Sequence, residues 1–171
     1  SFAGPICASA VKINHKQLHL LDRVKDSKKL SAKKREEIYE IVIKNNIEFS
    51  FEEASNTYID NFGIKNANEK VLNDSISRLY TGGEVVYVDH FKIKNFNAIS
   101  VIRGEDNCGA IALASIVAKV LRDKLMVDFS MDFPEYSLDK NKGYGTKEHR
   151  QAIFNYGLSE IHRKSFSLKP I

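Results

Sequence analysis

Two cysteines, Cys7 and Cys108, are all that this 171-residue chain contains. Neither has a ligand-like spacing to the other or to a histidine, which argues against a zinc site. The simplest reading is a pair of reduced, buried thiols in a cytoplasmic protein. No apolar run approaches the roughly 18 residues that a bilayer-spanning helix needs, so no membrane partner is expected. The apolar opening, Ser1 to Val11, contains Pro5 and lacks a basic leader. It reads as a first strand, not a signal peptide. Internal repeats, low-complexity tracts and long linkers are also missing. The default is one domain over residues 1–171, as a monomer.

What is present is the balance of a globular protein, 43% hydrophobic and 28% charged, long enough to bury a real core. The net charge of +4 is compatible with a polyanionic partner without establishing one. Basic residues gather in Lys25–Arg35, in Lys140–Lys147 and at Arg163, Lys164 and Lys169. On charge alone an ordinary solvated surface is the favoured reading of these clusters.

The patterning predicts alternating strands and helices. Pro5–Ile13 and Phe49–Glu53 read as strands, and Ser31 is a fitting N-cap for a helix through Lys44. Asn56–Phe62 reads as a short helix ended by Gly63, and Lys65–Tyr80 as a longer one with Val71, Leu72, Ile76 and Leu79 inward. The β-branched run Glu84–Asp89 is a buried strand, and Ala98–Ile102 another. Ala110–Phe129 is the strongest helix, and Lys147–Tyr156 a final one stopped by Gly157. This order gives an α/β domain, a central sheet with helices around it.

Five constellations could carry chemistry. Asp89 ends the strand Val85–Val88, where α/β folds place their sites, although an Asp after a strand is also a common turn residue. Gly104-Glu105-Asp106 precedes the long helix, where acids serve its dipole. If one of them met Asp89 across neighbouring strand ends, a divalent cation would be needed between them. Oxygen-only ligands suit Mg2+ or Mn2+ rather than zinc. Ser115, Lys119, Arg122 and Asp123 share one helix face, and periodicity favours that face as the solvent side. The loop Lys142-Gly-Tyr144-Gly-Thr146 presents an aromatic ring beside lysines, as stacking on a sugar or base requires, or is a turn with a partly buried Tyr. Asp26-Ser27-Lys28-Lys29-Leu-Ser31 leads into a helix N-terminus and suits a phosphate, as many lysine-rich loops do.

Taken in order, the opening Ala3-Gly-Pro5, Asp26–Ser31, Val88-Asp89, Ala114–Asp123 with Met126, Lys142–Thr146 with His149, and His162-Arg-Lys-Ser-Phe166 resemble the ribonuclease HII family over nearly the whole chain. The resemblance implies a ribonuclease H-like fold, a central mixed sheet flanked by helices with a helical C-terminal part. It also implies an endoribonuclease that cuts the RNA strand of RNA–DNA hybrids and at single ribonucleotides in duplex DNA. Two divalent metals, Mg2+ or Mn2+, held by four acids would give 5′-phosphate and 3′-hydroxyl ends.

Carried over residue by residue, Asp89 matches the third family acid, and Glu105 the fourth without a gap, with Asp106 able to take that role. All three are expected as catalytic metal ligands. Tyr144 matches the tyrosine that packs on the sugar at the RNA–DNA junction. Ser27, Lys28 and Lys29 match a segment near the substrate backbone, and Lys142 and Arg163 are expected as further substrate contacts. The chain departs from the family pattern at His90, where glycine is usual. It also begins where a strand ending in Asp-Glu-Ala-Gly-Arg-Gly should have just finished. That segment supplies the other two acids, so the expectation is an N-terminally truncated sequence. Cleavage by residues 1–171 alone should then be impaired, and the alternative to the endoribonuclease is an RNA–DNA binding module.

Overall fold

The computed structural model describes residues 1–24, 30–91, 93 and 96–167, with the side chain of Arg23 left aside. In chain order the elements are β1 (Ile6–Lys12), a 3-10 helix (His15–Val24), α1 (Ala32–Lys44), β2 (Glu48–Ala54), α2 (Asn56–Phe62) and α3 (Ile64–Leu79). These are followed by β3 (Val86–Asp89), β4 (Ala98–Val101), α4 (Gly104–Asn107), α5 (Gly109–Asp132), a 3-10 turn (Pro134–Tyr136), α6 (Leu138–Asn141) and α7 (Lys147–Tyr156). Among the described residues the strands form two pairs, β1 with β2 and β3 with β4.

The helix starts follow from side-chain chemistry. Ser31, Ser55 and Thr146 each accept a hydrogen bond from the backbone N–H three residues on, at 3.2, 3.1 and 3.2 Å, which satisfies one orphan donor per helix. Gly63 and Gly157 stand at the C-caps of α2 and α7, where the sequence places their ends. Four elements carry no comparable signal in the sequence: the 3-10 helix His15–Val24, α4, the Pro134 turn and α6. The last three are too brief for periodicity to register, and the first winds at three residues per turn, which a 3.6-residue pattern does not match.

The chain divides into two compact units. The strand unit comprises Ala8–Glu52 and Glu69–Val120. Its core gathers Ile76, Val88 and Ile93 with the half-buried Leu72, Tyr80, Val86 and Phe96. Burying each large apolar side chain there contributes roughly 1.5–3 kcal/mol. Ser9 Oγ donates to the Ser50 carbonyl and Ser50 Oγ to that of Ser75, both at 2.6 Å, tying β1 to β2 and β2 to α3. The terminal unit comprises Ser1–Cys7, Glu53–Asn68 and Leu121–Ile171. Ala3, Met126, Tyr136, Leu138, Ala152, Ile153 and Ile161 form its core, with Phe129 and Phe133 against it. Both cysteines are free but only half-buried, so the expectation of full burial is corrected. Burial still pushes the Cys7 thiol up to about 12.

Candidate functional site

In the strand unit, β3 and β4 run parallel with Asp89 opposite Val101, so both strands end at the same edge. Asp89 closes β3, and Gly104-Glu105-Asp106 follows β4 at once. This is the carboxyl edge where parallel strands present ligands. The chain turns sharply after each strand: His90 (φ 56) and Arg103 (φ 53) both adopt left-handed backbone. That explains why glycine suits the position of His90, since a side chain there costs about 1–2 kcal/mol.

The turn after β4 brings the Gly104 N–H onto Asp89 Oδ1 at 2.7 Å. Gly104 is required by this approach. A Cβ there would stand 2.7 Å from Ile111 Cδ1 and 3.1 Å from both Asp89 Cβ and Oδ1. Asp89 is therefore oriented by a backbone donor, a more rigid partner than any side chain. Glu105, next in sequence, is half-buried and accepts from Ser115 Oγ at 2.7 Å. Asp106 is exposed and takes an ion pair from Arg103 Nε at 3.1 Å. Two adjacent acids that the sequence leaves equivalent are thus separated by their surroundings.

The donors at this edge are carboxylate oxygens, and their chemistry fits a hard divalent ion such as Mg2+ or Mn2+. Their number does not complete a coordination shell: among the described residues no group of three or more His, Cys, Asp or Glu is placed to hold a metal.

In the terminal unit, the loop between α6 and α7 presents Tyr144, 47% exposed, with the Arg122 guanidinium 5.5 Å from its ring centroid. The buried Asn141 shapes this loop. Its amide accepts from Gly143 N at 2.8 Å and donates to the Tyr136 carbonyl at 2.6 Å, and its backbone carbonyl accepts from Tyr144 N at 2.9 Å. Gly143 (φ +77) admits no side chain, because a Cβ would lie 2.5 Å from the Ala3 carbonyl oxygen. The same approach lets the Gly143 carbonyl accept from Phe2 N at 2.7 Å. Lys142, expected to contact substrate, turns its ammonium to the Asp139 carbonyl of its own turn.

Arg163 is a correction to the reading as a substrate contact. It is buried, at 6% exposure, and donates from Nε to the Gly4 carbonyl at 2.9 Å and from Nη2 to that of Pro5 at 3.0 Å. Burial draws its pKa down to about 10. A guanidinium so engaged holds the fold rather than a phosphate. The solvent reading of the α5 stripe is also corrected. Ser115, Lys119, Arg122 and Asp123 are all half-buried, and Arg122 donates to the carbonyls of Pro5, Lys142 and Ala3 at 3.3, 3.1 and 3.3 Å. Ser27, Lys28 and Lys29 lie outside the described residues.

Sequence reasoning also passed over the role of His149 and His162. Both are fully buried, with their Nε2 atoms 3.1 Å apart. Burial lowers the pKa of His149 and takes that of His162 down to about 4. Both stand in segments that drew attention as motifs, but nothing in their spacing of thirteen residues signals contact.

The profile of the family described as Ribonuclease HII matches residues 1–169. A curated Ribonuclease HII of Rickettsia canadensis (strain McKiel) is 47% identical over 167 residues, 96% of this chain and 83% of the relative. Among solved structures, the ribonuclease H2 of Pyrococcus horikoshii OT3 superposes with a TM-score of 0.78 at 19% identity, over 96% of this chain and 88% of that one. The Bst ribonuclease HIII in complex with Mn2+ gives 0.65 at 14% identity, over 90% and 66%. At these identities the two structures speak for the fold, which is ribonuclease H-like α/β as expected.

Proposed function

Because the chain belongs to the ribonuclease HII family, a family of nuclease hydrolases, we propose that it cuts the RNA strand of RNA–DNA hybrids and cuts duplex DNA at single embedded ribonucleotides. The observation that carries this reading is the hydrogen bond from Gly104 N to Asp89 Oδ1 at the shared end of β3 and β4. It orients one acid and brings Glu105 to the same edge. Asp89 and Glu105 are the residues that would hold Mg2+ or Mn2+, with Asp106 turned to Arg103 and outside the set. When bound, such ions activate a water and stabilise the leaving oxygen, giving 5′-phosphate and 3′-hydroxyl ends.

The remaining assignments concern binding. Tyr144 offers an exposed ring for a nucleotide sugar, where the 2′-hydroxyl distinguishes RNA from DNA, and Arg122 backs that ring. Ser27, Lys28 and Lys29 suit the phosphate backbone. Lys142 contributes positive charge at the Tyr144 loop.

A second reading is an RNA–DNA binding module with impaired cleavage, which the exposed Tyr144 ring and the Arg122 guanidinium beside it would serve without a metal. Both readings meet in one assay on duplex DNA holding a single ribonucleotide, with Mg2+ or Mn2+. Residues 1–171 alone are expected to cut weakly, and the same residues preceded by Asp-Glu-Ala-Gly-Arg-Gly strongly, leaving a 5′-phosphate on one product and a 3′-hydroxyl on the other. Binding without cleavage by the folded, extended polypeptide would decide for the module.

A further inference from the structure

The donors and acceptors around the two buried histidines admit only one order. Ser159 N donates to His162 Nδ1 at 3.0 Å, and Ser159 Oγ lies 2.8 Å from the same nitrogen. A ring nitrogen that accepts carries no proton, so neutral His162 keeps its proton on Nε2. That N–H meets His149 Nε2 at 3.1 Å, which must therefore accept, and the proton of His149 resides on Nδ1. His149 Nδ1 in turn lies 2.9 Å from the Tyr144 carbonyl, an acceptor only. The Tyr136 ring stands edge-on to both imidazoles, 6.3 and 4.7 Å away. Arg163, which follows His162, is committed to the carbonyls of Gly4 and Pro5. The chain of donors is thus directional and fully satisfied, and it lies wholly within the terminal unit.

We propose that His149 and His162 are positioning residues for the nucleotide contact of Tyr144: two neutral imidazoles relay a hydrogen bond from the Ser159 amide to the Tyr144 carbonyl and so fix the backbone from which the ring projects. This inference rests on the reading of Tyr144 as the sugar contact. The carbonyl held by His149 also accepts from Thr146 N at 2.8 Å, so both of its lone pairs are used and the peptide plane is set. Tyr144 N is held by Asn141 from the other side. The ring itself is left exposed. An exposed ring on an immobilised peptide is what a contact needs if it is to lose little entropy on binding.

Two measurements on the full protein test this. Long-range 15N–1H NMR at neutral pH reads which ring nitrogens carry protons. The expected result is a proton on His162 Nε2 and on His149 Nδ1 and none on the other two; the reverse order, or a doubly protonated ring, overturns the relay. Binding is then followed by fluorescence anisotropy without added metal, on duplex DNA with one ribonucleotide and on its all-DNA counterpart. His162→Phe should weaken the ribonucleotide duplex about tenfold, the scale of one buried hydrogen bond, and leave the all-DNA duplex unchanged. His162→Gln, whose amide can still donate to His149 Nε2, should recover most of the loss. In a Tyr144→Ala background His162→Phe should add nothing. An equal loss in both backgrounds, or on both duplexes, assigns the histidines a purely structural role and overturns the proposal. If Tyr144→Ala leaves the preference for the ribonucleotide intact, the reading of Tyr144 as the sugar contact fails, while NMR judges the proton order separately. Should His162→Phe not fold, His149→Gln in the same cycle and NMR of the unaltered protein decide.

Discussion

The acid edge of the strand unit and the tyrosine loop of the terminal unit are built in opposite ways. Asp89 is placed by backbone alone: two parallel strand ends, two left-handed turns and one N–H. Tyr144 is placed by side chains: Asn141, His149, His162 and Arg122 all act on its loop. The first arrangement tolerates little change in backbone shape, and the second little change in buried polar identity. Damage to the edge should therefore appear in the rate, and damage to the loop network first in stability and binding.

On the loop side, Arg163→Met removes the donor of the Gly4 carbonyl and one of the two donors of the Pro5 carbonyl, which keeps Arg122. It should destabilise the protein by about 3 kcal/mol, at one to three per buried unsatisfied group. Denaturant melts read this directly, and a loss below about 1 kcal/mol would show that the guanidinium is dispensable to the fold.

Acidification is the next test. Burial holds His162 near 4, below its ordinary value, with His149 lowered as well. The unfolded chain thus binds more protons than the folded one below about pH 6.5, so stability is complete above that pH and is lost as the pH falls toward 4. For His162 the loss should reach at most about 3 kcal/mol. Thermal melts from pH 7 to 4 should show a steeper fall for the unaltered protein than for His162→Gln, and parallel curves would refute the assignment.

On the edge side, Gly104→Ala pushes a Cβ against Asp89 and Ile111. A misplacement of an ångström costs on the order of a hundredfold in rate, and cleavage should fall by that factor while the fold is kept. Unchanged cleavage would mean that Asp89 does not need its backbone partner. The smallest effect is expected for His90→Gly. Relief of left-handed backbone, less the entropy cost of glycine, should stabilise by about 0.5–1 kcal/mol, and a loss of stability would point to a contact made by the imidazole.

Much of this was legible in the sequence, and unevenly so. Helix starts at Ser31, Ser55 and Thr146 and helix stops at Gly63 and Gly157 agree closely with the patterning, because caps are local chemistry. Asp89 was readable as a strand-end acid for the same reason. The choice between Glu105 and Asp106 was not, since it depends on Ser115, ten residues away, and on the backbone of Arg103. Arg163 and Arg122 misled for a related reason. A basic residue in a sequence reads as surface charge, and only packing shows that these two serve carbonyls. The histidine pair depends on a contact between two segments that no local pattern encodes.

The metal ligands proposed for this protein are the oriented acid at the end of β3 and Glu105, without Asp106. Asp89→Asn, Glu105→Gln and Asp106→Asn should be compared for Mn2+ binding by calorimetry and for cleavage of a duplex with one ribonucleotide, in the polypeptide extended by Asp-Glu-Ala-Gly-Arg-Gly. Asp89→Asn and Glu105→Gln should each lose about a thousandfold in cleavage and weaken Mn2+, while Asp106→Asn should stay within about threefold of the unaltered protein, the scale of an exposed ion pair. Cleavage that survives Asp89→Asn, or that depends on Asp106 in place of Glu105, would contradict this assignment.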